Sequence, residues 1–344
     1  MPLAFALFLT LVLLLALAAF SLVTCLVLNR AHPPEGSLRA LATTASTRRP
    51  SRIHVAERAA RVTPAMADVV LIHGAFAASG DQLLALADTL CARYRVIAID
   101  RPGQGWSDRP GGARDASPLR QASLIHEALC AHGVKRAVVI GHSFGAAVAA
   151  ALALEHESFV RGLVFVAPAT HPWPGGIAWH YWLPALPVFG PIFTALLAPI
   201  LRPLLLRPGI ESVFWPQTPP ECYEQRAGAA LALTPGRLRA NGQDVATLKR
   251  HLAALSPRYA QIKVPCVIVT GDSDDTVSPT IHSQALARDI EGASLVTLEG
   301  VGHMPHHARP DAILAAVDEI VAKTSDGASV AGMMESGSEA ARAK

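Results

Sequence analysis

The stretch Gly141-His142-Ser143-Phe144-Gly145 decides how this chain is read. It follows the apolar run Ala137-Val138-Val139-Ile140 and precedes Ala146-Ala147-Val148-Ala149-Ala150. The first run reads as a buried strand and the second as a helix, so Ser143 sits on a strand-to-helix turn. In that context G-x-S-x-G describes a nucleophile elbow. The turn is tight enough that the residues two before and two after the serine must be small, and Gly141 and Gly145 meet that need. The bland alternative, a helix-capping serine, needs neither glycine.

A serine hydroxyl is a poor nucleophile unless a base takes its proton and an acid orients that base. Both partners appear downstream. The strand-like run Cys266-Val267-Ile268-Val269-Thr270 ends in Gly271-Asp272-Ser273-Asp274-Asp275-Thr276-Val277-Ser278-Pro279. A second run, Ser294-Leu295-Val296-Thr297-Leu298, ends in Glu299-Gly300-Val301-Gly302-His303-Met304-Pro305. Serine, acid and histidine therefore follow one another on loops after successive strands, in the order Ser, Asp, His.

Two further loops extend the pattern. His73-Gly74-Ala75-Phe76 follows the run Val69 to Ile72, and Asp100-Arg101-Pro102-Gly103-Gln104-Gly105-Trp106-Ser107 follows Arg95 to Ile99. With these five motifs in register over residues 69–310, the chain resembles the α/β-hydrolase fold superfamily, of the serine esterase and lipase kind. The resemblance implies a doubly wound, mostly parallel α/β sheet with a helical cap insertion. It implies Ser143 as nucleophile, His303 as general base and Asp274 as the acid, through G-x-x-D-x-x-V-x-P. Asp272 and Asp275 compete for the last role, Asp272 as a structural residue and Asp275 one position out of register. The oxyanion hole is expected from the backbone amides of Phe144 and Ala75, with Phe76 as the fallback donor. His73 is expected to brace its loop, and the Asp100 to Ser107 stretch to shape a turn.

Two apolar segments account for a hydrophobic fraction of 51%. From Pro2 to Leu28 there is no charged residue. At ~1.5 Å per residue such a helix exceeds the ~30 Å hydrocarbon core of a bilayer. No Lys or Arg precedes the run, it is too long for a signal-peptide core, and no A-x-A site follows. Residues 2–28 are therefore expected to be an uncleaved, single-pass transmembrane anchor. Arg30, Arg39, Arg48, Arg49, Arg52, Arg58 and Arg61 come next and place the catalytic domain on the cytoplasmic side by the positive-inside rule. Residues 29–52 read as a flexible tether, and 324–344 as a disordered tail.

The second apolar segment interrupts the hydrolase core, dividing it into residues 53–170 and 256–323, with a cap over 171–255. Four of the five tryptophans lie there: Trp173, Trp179, Trp182 and Trp215. Its prolines are expected to break it into short helices, none long enough to span a membrane. Packing explains many of its apolar side chains, but the aromatic density points further to an acyl pocket. Phe76, Trp179 and Trp182 are the candidate substrate contacts, and a face touching lipid is a second use for the cap.

Composition narrows the partners. Net charge is +3 with no dense basic face, so no nucleic-acid partner is expected. Five scattered cysteines without C-x-x-C indicate no disulfide framework; Cys130 and Cys266 fall in apolar runs and read as core. His306 and His307 lack the spacing of a zinc hydrolase, so no metal and no cofactor are expected. The expected activity is hydrolysis of a small apolar or lipid-like carboxylic ester. A carbon–carbon bond hydrolase of ring-cleavage products and a cofactor-free haloperoxidase keep the same three residues and are the alternatives. Epoxide hydrolases and haloalkane dehalogenases place Asp at the elbow, which Ser143 argues against. A non-catalytic binding module is the alternative from another class, and the intact triad speaks against it. The natural substrate and the oligomeric state are not legible.

Overall fold

The computed structural model describes residues 2–44 and 50–325. Eight strands form one sheet: β1 Ser37–Ala40, β2 Arg52–Arg58, β3 Asp68–Ile72, β4 Arg95–Ile99, β5 Ala137–His142, β6 Val160–Val166, β7 Cys266–Gly271 and β8 Ser294–Leu298. Their order is β1-β2-β4-β3-β5-β6-β7-β8. β2 runs antiparallel to both of its neighbours, and the pairs from β4 to β8 are parallel.

The central strands are continuous apolar runs because both faces of the sheet are covered. Val70 and Ile72 of β3 face one side, where α3 (Pro118–Ala131) and α4 (Phe144–Glu155) pack. Val69 and Leu71 face the other, with α2 (Ser79–Leu90) and a helix over residues 310–325. α4 is rich in alanine, and every residue from Phe144 to Ala153 is buried. Small side chains let this helix lie close against the sheet, directly behind Ser143.

The cap comprises α5 (Trp179–Ala185), α6 (Phe189–Phe214), α7 (Tyr223–Arg226) and α8 (Pro235–Leu255), all between β6 and β7. α9 (Ser283–Asp289) and α10 (Pro305–Ala308) follow in the second part of the core. The prolines break the cap only in part: Pro187 lies in the gap between the seven-residue α5 and α6. α6 is one helix of 26 residues with Pro199, Pro203 and Pro208 inside it. Each proline forfeits one backbone bond, and the helix continues because its neighbours are apolar, strong helix formers held against α8 and α1. The expectation that no cap segment is long enough to span a membrane is corrected with it. Both α6 and α1 (Pro2–Ala31) have the length and composition of candidate spans.

The tether is corrected as well. α1 continues through Ala31, and Ser37–Ala40, inside the stretch 29–52, form β1 on the edge of the sheet. A four-residue edge strand among Pro, Glu and Arg carries too little alternation to show in the sequence. Arg48 and Arg49 of the tether, and the tail from residue 326, lie outside the described residues. Cys266 is buried as expected, whereas Cys130 is exposed on α3.

Candidate active site

Ser143 stands between the last residue of β5 and the first of α4 with φ 51° and ψ −117°. A non-glycine residue rarely adopts this backbone conformation, and such strain persists only where its surroundings enforce it. The flanking glycines show what enforces it. A Cβ on Gly141 would lie 2.6 Å from the Gly145 carbonyl oxygen, and one on Gly145 would lie 2.2 Å from that of Ile72. Neither position admits a side chain without moving backbone. The Ser143 amide donates to Val166 O at 3.0 Å, and the Ser143 carbonyl accepts from Ala169 at 3.1 Å. The turn is thereby pinned to β6.

His303 and Asp274 come from the loops after β8 and β7. His303 Nδ1 lies 2.8 Å from Asp274 Oδ2. Asp274 Oδ1 accepts from the amides of Thr276 at 2.9 Å and Val277 at 2.8 Å. The carboxylate is thus aimed at the imidazole by its own loop, which leaves Nε2 as the nitrogen able to take a proton. Asp274, Ser143 and His303 are all buried, at 6%, 9% and 5% exposure. Asp275 is exposed. Asp272 accepts from the Gly300 amide at 2.8 Å and so shapes the loop that carries His303. The Ser143 and His303 loops are joined directly: His142 Nε2 donates to the His303 carbonyl at 3.0 Å. The cap holds the same loop from above, since Gln217 accepts from Gly302 at 3.0 Å and donates to the Gly300 carbonyl at 2.7 Å.

The loop after β3 lies beside the nucleophile, close enough that a Cβ on Gly74 would sit 3.2 Å from Ser143 Cβ. Among the described residues, nothing accepts a hydrogen bond from the Ala75 or the Phe144 amide. The Phe76 amide, the fallback donor, is taken by Asn241 Oδ1 at 2.8 Å. The Ala75 and Phe144 amides, unlike that of Phe76, are thus without an acceptor among the described residues.

What holds that loop was missed in the sequence. Arg101 is fully buried. Its Nε donates to His73 O and its second guanidinium nitrogen to Gly74 O, both at 3.0 Å. The guanidinium also pairs with Asp244 of α8 at 2.8 Å and stacks 4.2 Å from the Phe144 ring centroid. One side chain therefore ties the loop after β3 and the start of α4 to each other and to the cap. His73 does brace its loop: Nε2 accepts from the Arg101 amide at 3.0 Å, and Nδ1 donates to Gly74 O at 2.8 Å. Burial and the adjacent Arg101 charge push its pKa down to about 4. Asp100 shapes the next turn, accepting from Ser79 at 2.7 Å and Trp106 at 2.8 Å.

A second buried group stands behind His303. Asp81 accepts from Tyr223 at 2.8 Å, His307 at 2.9 Å and His306 at 3.2 Å. Burial opposes the charge on Asp81, but His306 and His307 outweigh it and hold the carboxyl well below its ordinary range. Asp81, His142 and His306 bring three possible ligand atoms within 4.8 Å of one another. The Asp81 oxygens are already shared among three donors, so the group acts as a brace between α2, the cap and the His303 loop.

The candidate substrate contacts divide. Phe76, at φ 52°, meets Tyr181 edge to face with ring centroids 5.5 Å apart. Trp179 and Trp182 are instead about half exposed, at 52% and 44%, although Trp179 also lines a small crevice with Ala198, Leu233 and Leu238. Helical geometry explains this correction. Residues 179 and 182 share one side of α5, and Tyr181 lies about 200° around from Trp179. Tyr181, not among the candidate contacts, is the residue that meets Phe76. A cavity of about 490 Å³ lies elsewhere, between His32 just past the end of α1, Asp100, Trp106 and Arg226, and Ser143 is not in its wall.

An elbow serine after β5, an acid after β7 and a histidine after β8, on a sheet with only β2 reversed among its central strands, define the α/β-hydrolase class. Residues 69–316 match the alpha/beta hydrolase family, and the chain belongs to it. It is a hydrolase by that membership. It is 30% identical over 264 residues to the magnesium-chelatase 30 kDa subunit of Rhodobacter capsulatus, covering 71% of this chain and 83% of that protein. A probable 1-acylglycerol-3-phosphate O-acyltransferase of Oryza sativa subsp. japonica is 38% identical over 104 residues; the match covers 29% of this chain and only a quarter (25%) of that relative's length. Among solved structures, a thermophilic esterase from Thermogutta terrifontis superposes with a TM-score of 0.63 at 20% identity, covering 84% of this chain and 99% of the esterase.

Proposed function

We propose that this protein is a membrane-tethered serine hydrolase that cleaves carboxylic esters of apolar acyl chains. The observation that carries the reading is the 2.8 Å contact between His303 Nδ1 and Asp274, on loops joined to a strained Ser143. His303 Nε2 takes the Ser143 proton as the hydroxyl oxygen attacks the ester carbonyl. Asp274 keeps the imidazole in the required tautomer and stabilises the imidazolium. The Ala75 and Phe144 amides receive the developing oxyanion, each typically worth ~2.7–4 kcal/mol. His303 then protonates the leaving alkoxide. Water repeats the sequence on the acyl-enzyme and releases the acid, and no cofactor takes part.

Phe76 and Tyr181 supply the apolar wall next to the oxyanion loop and are the proposed acyl contacts. α1, without a charge from Pro2 to Leu28 and followed by arginines, supports a single membrane span with the catalytic domain on the cytoplasmic side. The test is kcat/KM over p-nitrophenyl esters of rising acyl length. Each buried CH₂ contributes about 0.8 kcal/mol, so the expected gain is roughly fourfold per methylene until the pocket is filled. A flat profile, or cleavage of carbon–carbon bonds in dienoic ketones in place of esters, would overturn the proposal.

A further inference from the structure

α6 is apolar on the side where a cap helix of a soluble hydrolase would be polar. Its inward residues Gly190, Thr194 and Ala198 are buried, and Ala198 packs with Leu233, Leu238 and Phe76. Its outward stripe is Phe189, Ile192, Leu197, Ile200 and Leu204, with Phe189 at 68% and Leu204 at 66% exposure. A helix apolar all round is ordinarily buried on all sides. Between Phe189 and Leu206 the only charge is Arg202, which is partly buried and lines a small crevice with Trp179, Phe193 and Leu205. The stripe ends at the exposed pair Arg207–Glu211, 2.9 Å apart. Exposed tryptophans flank it, Trp179 and Trp182 before and Trp215 after. Tryptophan is the residue enriched where a bilayer meets water.

α1 says what covers this stripe. Ser21 and Leu28 of α1 are buried and Thr24 and Cys25 partly so, at helical spacing, while the sides between them are exposed and apolar. Leu28 packs with Leu206 of α6, and Asn29 accepts from Arg237 of α8 at 3.1 Å. α1 thus reaches the cap while still uncharged, several residues before Arg30. About 20 residues suffice to cross the hydrocarbon core, and 27 uncharged residues are present from Pro2 to Leu28. The surplus turns lie alongside α6, within about one helix diameter, ~10 Å. A bilayer that holds α1 therefore reaches the outward stripe of α6.

We infer that α6 lies in the surface layer of the same bilayer, parallel to its plane, as a second point of membrane contact. It does not cross the bilayer, because its inward side is packed on the protein at both ends, Gly190 against α5 and α8 and Phe214 against Tyr223 of α7. The consequence concerns the substrate. Ala198, one side of α6, touches the cluster containing Phe76, which neighbours the oxyanion loop. Only the thickness of α6 separates lipid from that residue, so the substrate class is a bilayer-resident acyl ester whose chain passes under the cap without entering water. This substrate assignment rests on the ester-hydrolase reading; the placement of α6 does not.

The test uses the full-length protein reconstituted in phosphatidylcholine vesicles, with and without acyl chains brominated near the headgroup. Bromines quench tryptophan on contact, and Trp179, Trp182 and Trp215 are the exposed ones, so a marked loss of emission is expected. The double variant Ile200→Glu/Leu204→Glu alters two solvent-facing side chains, and its melting curve is expected to match that of the native protein. Its turnover of a long-chain ester dissolved in the vesicles is expected to fall about tenfold or more, from two lost apolar contacts with lipid. Its rate on water-soluble p-nitrophenyl butyrate should stay within about twofold, because neither residue touches the site. Unquenched emission together with native turnover of the vesicle ester would overturn the inference. So would a glutamate variant that only converts a dimer to a monomer, which would assign the stripe to a second copy. Release of the native chain by an alkaline wash would defeat the transmembrane anchor alone, and quenching would still decide the placement of α6. If neither ester is cleaved, the ester reading fails separately.

Discussion

Asp274→Asn isolates the role of the acid with little disturbance to the fold. The two amide bonds from Thr276 and Val277, at 2.9 and 2.8 Å, need only a carbonyl oxygen, which Asn supplies. With that oxygen engaged, the amide NH₂ faces His303 Nδ1 across 2.8 Å. Nδ1 must then act as acceptor, the ring proton moves to Nε2, and Nε2 no longer accepts the proton of Ser143. The same tautomer trap in a serine-protease triad lowers kcat about 10⁴-fold, equivalent to about 5.5 kcal/mol of transition-state stabilisation. We expect a loss of that order here, with KM within a few-fold and an unchanged melting temperature. The assay is steady-state hydrolysis of p-nitrophenyl butyrate alongside thermal unfolding. Asp272→Asn, which alters only the Gly300 turn, should cost far less. A crippling Asp272→Asn beside a nearly native Asp274→Asn would refute the assignment.

Arg101→Gln should destabilise the protein by about 3–5 kcal/mol in chemical denaturation, because it strips one partner from a fully buried ion pair with Asp244. Any variant that remains folded should lose kcat more than it raises KM, since the His73 and Gly74 carbonyls lose their clamp. Stability should fall on acidification between pH 6.5 and 4. His73 and His282 have pKa values pushed down to about 4, chiefly by burial. The unfolded chain therefore binds protons that the folded chain refuses in that window, so stability is full above it and declines as pH drops, by at most about 3 kcal/mol per site. Urea titrations at pH 7.5 and 5 check this, and equal unfolding free energies would contradict it.

The parts of the site legible in the sequence are those where local backbone geometry restricts the residue type. Gly141 and Gly145 are readable because a Cβ at either meets backbone within 2.6 Å. Asp274 is readable because its loop amides impose a fixed register on the residues that follow it. Arg101 and Asn241 were not readable as braces of the loop after β3. Their partners lie far along the chain, Asp244 for Arg101 and the Phe76 amide for Asn241, and no local pattern marks such pairs. The cap was legible as apolar but not in its orientation. The sequence offered Trp179 and Trp182 as substrate contacts, whereas Tyr181 is the residue that meets Phe76. The prolines of α6 misled for a related reason: propensity weighs each residue alone, whereas α1, α5 and α8 pack against the helix.

Ser143 is the proposed activated nucleophile. Labelling by a fluorophosphonate probe tests it most directly, because the probe reacts covalently only with a serine whose proton is drawn off by a base. Stoichiometric labelling of the native protein is expected, with a single modified peptide containing Ser143 and no labelling of Ser143→Ala. Failure of the folded native protein to label, or equal labelling of Ser143→Ala, would contradict it.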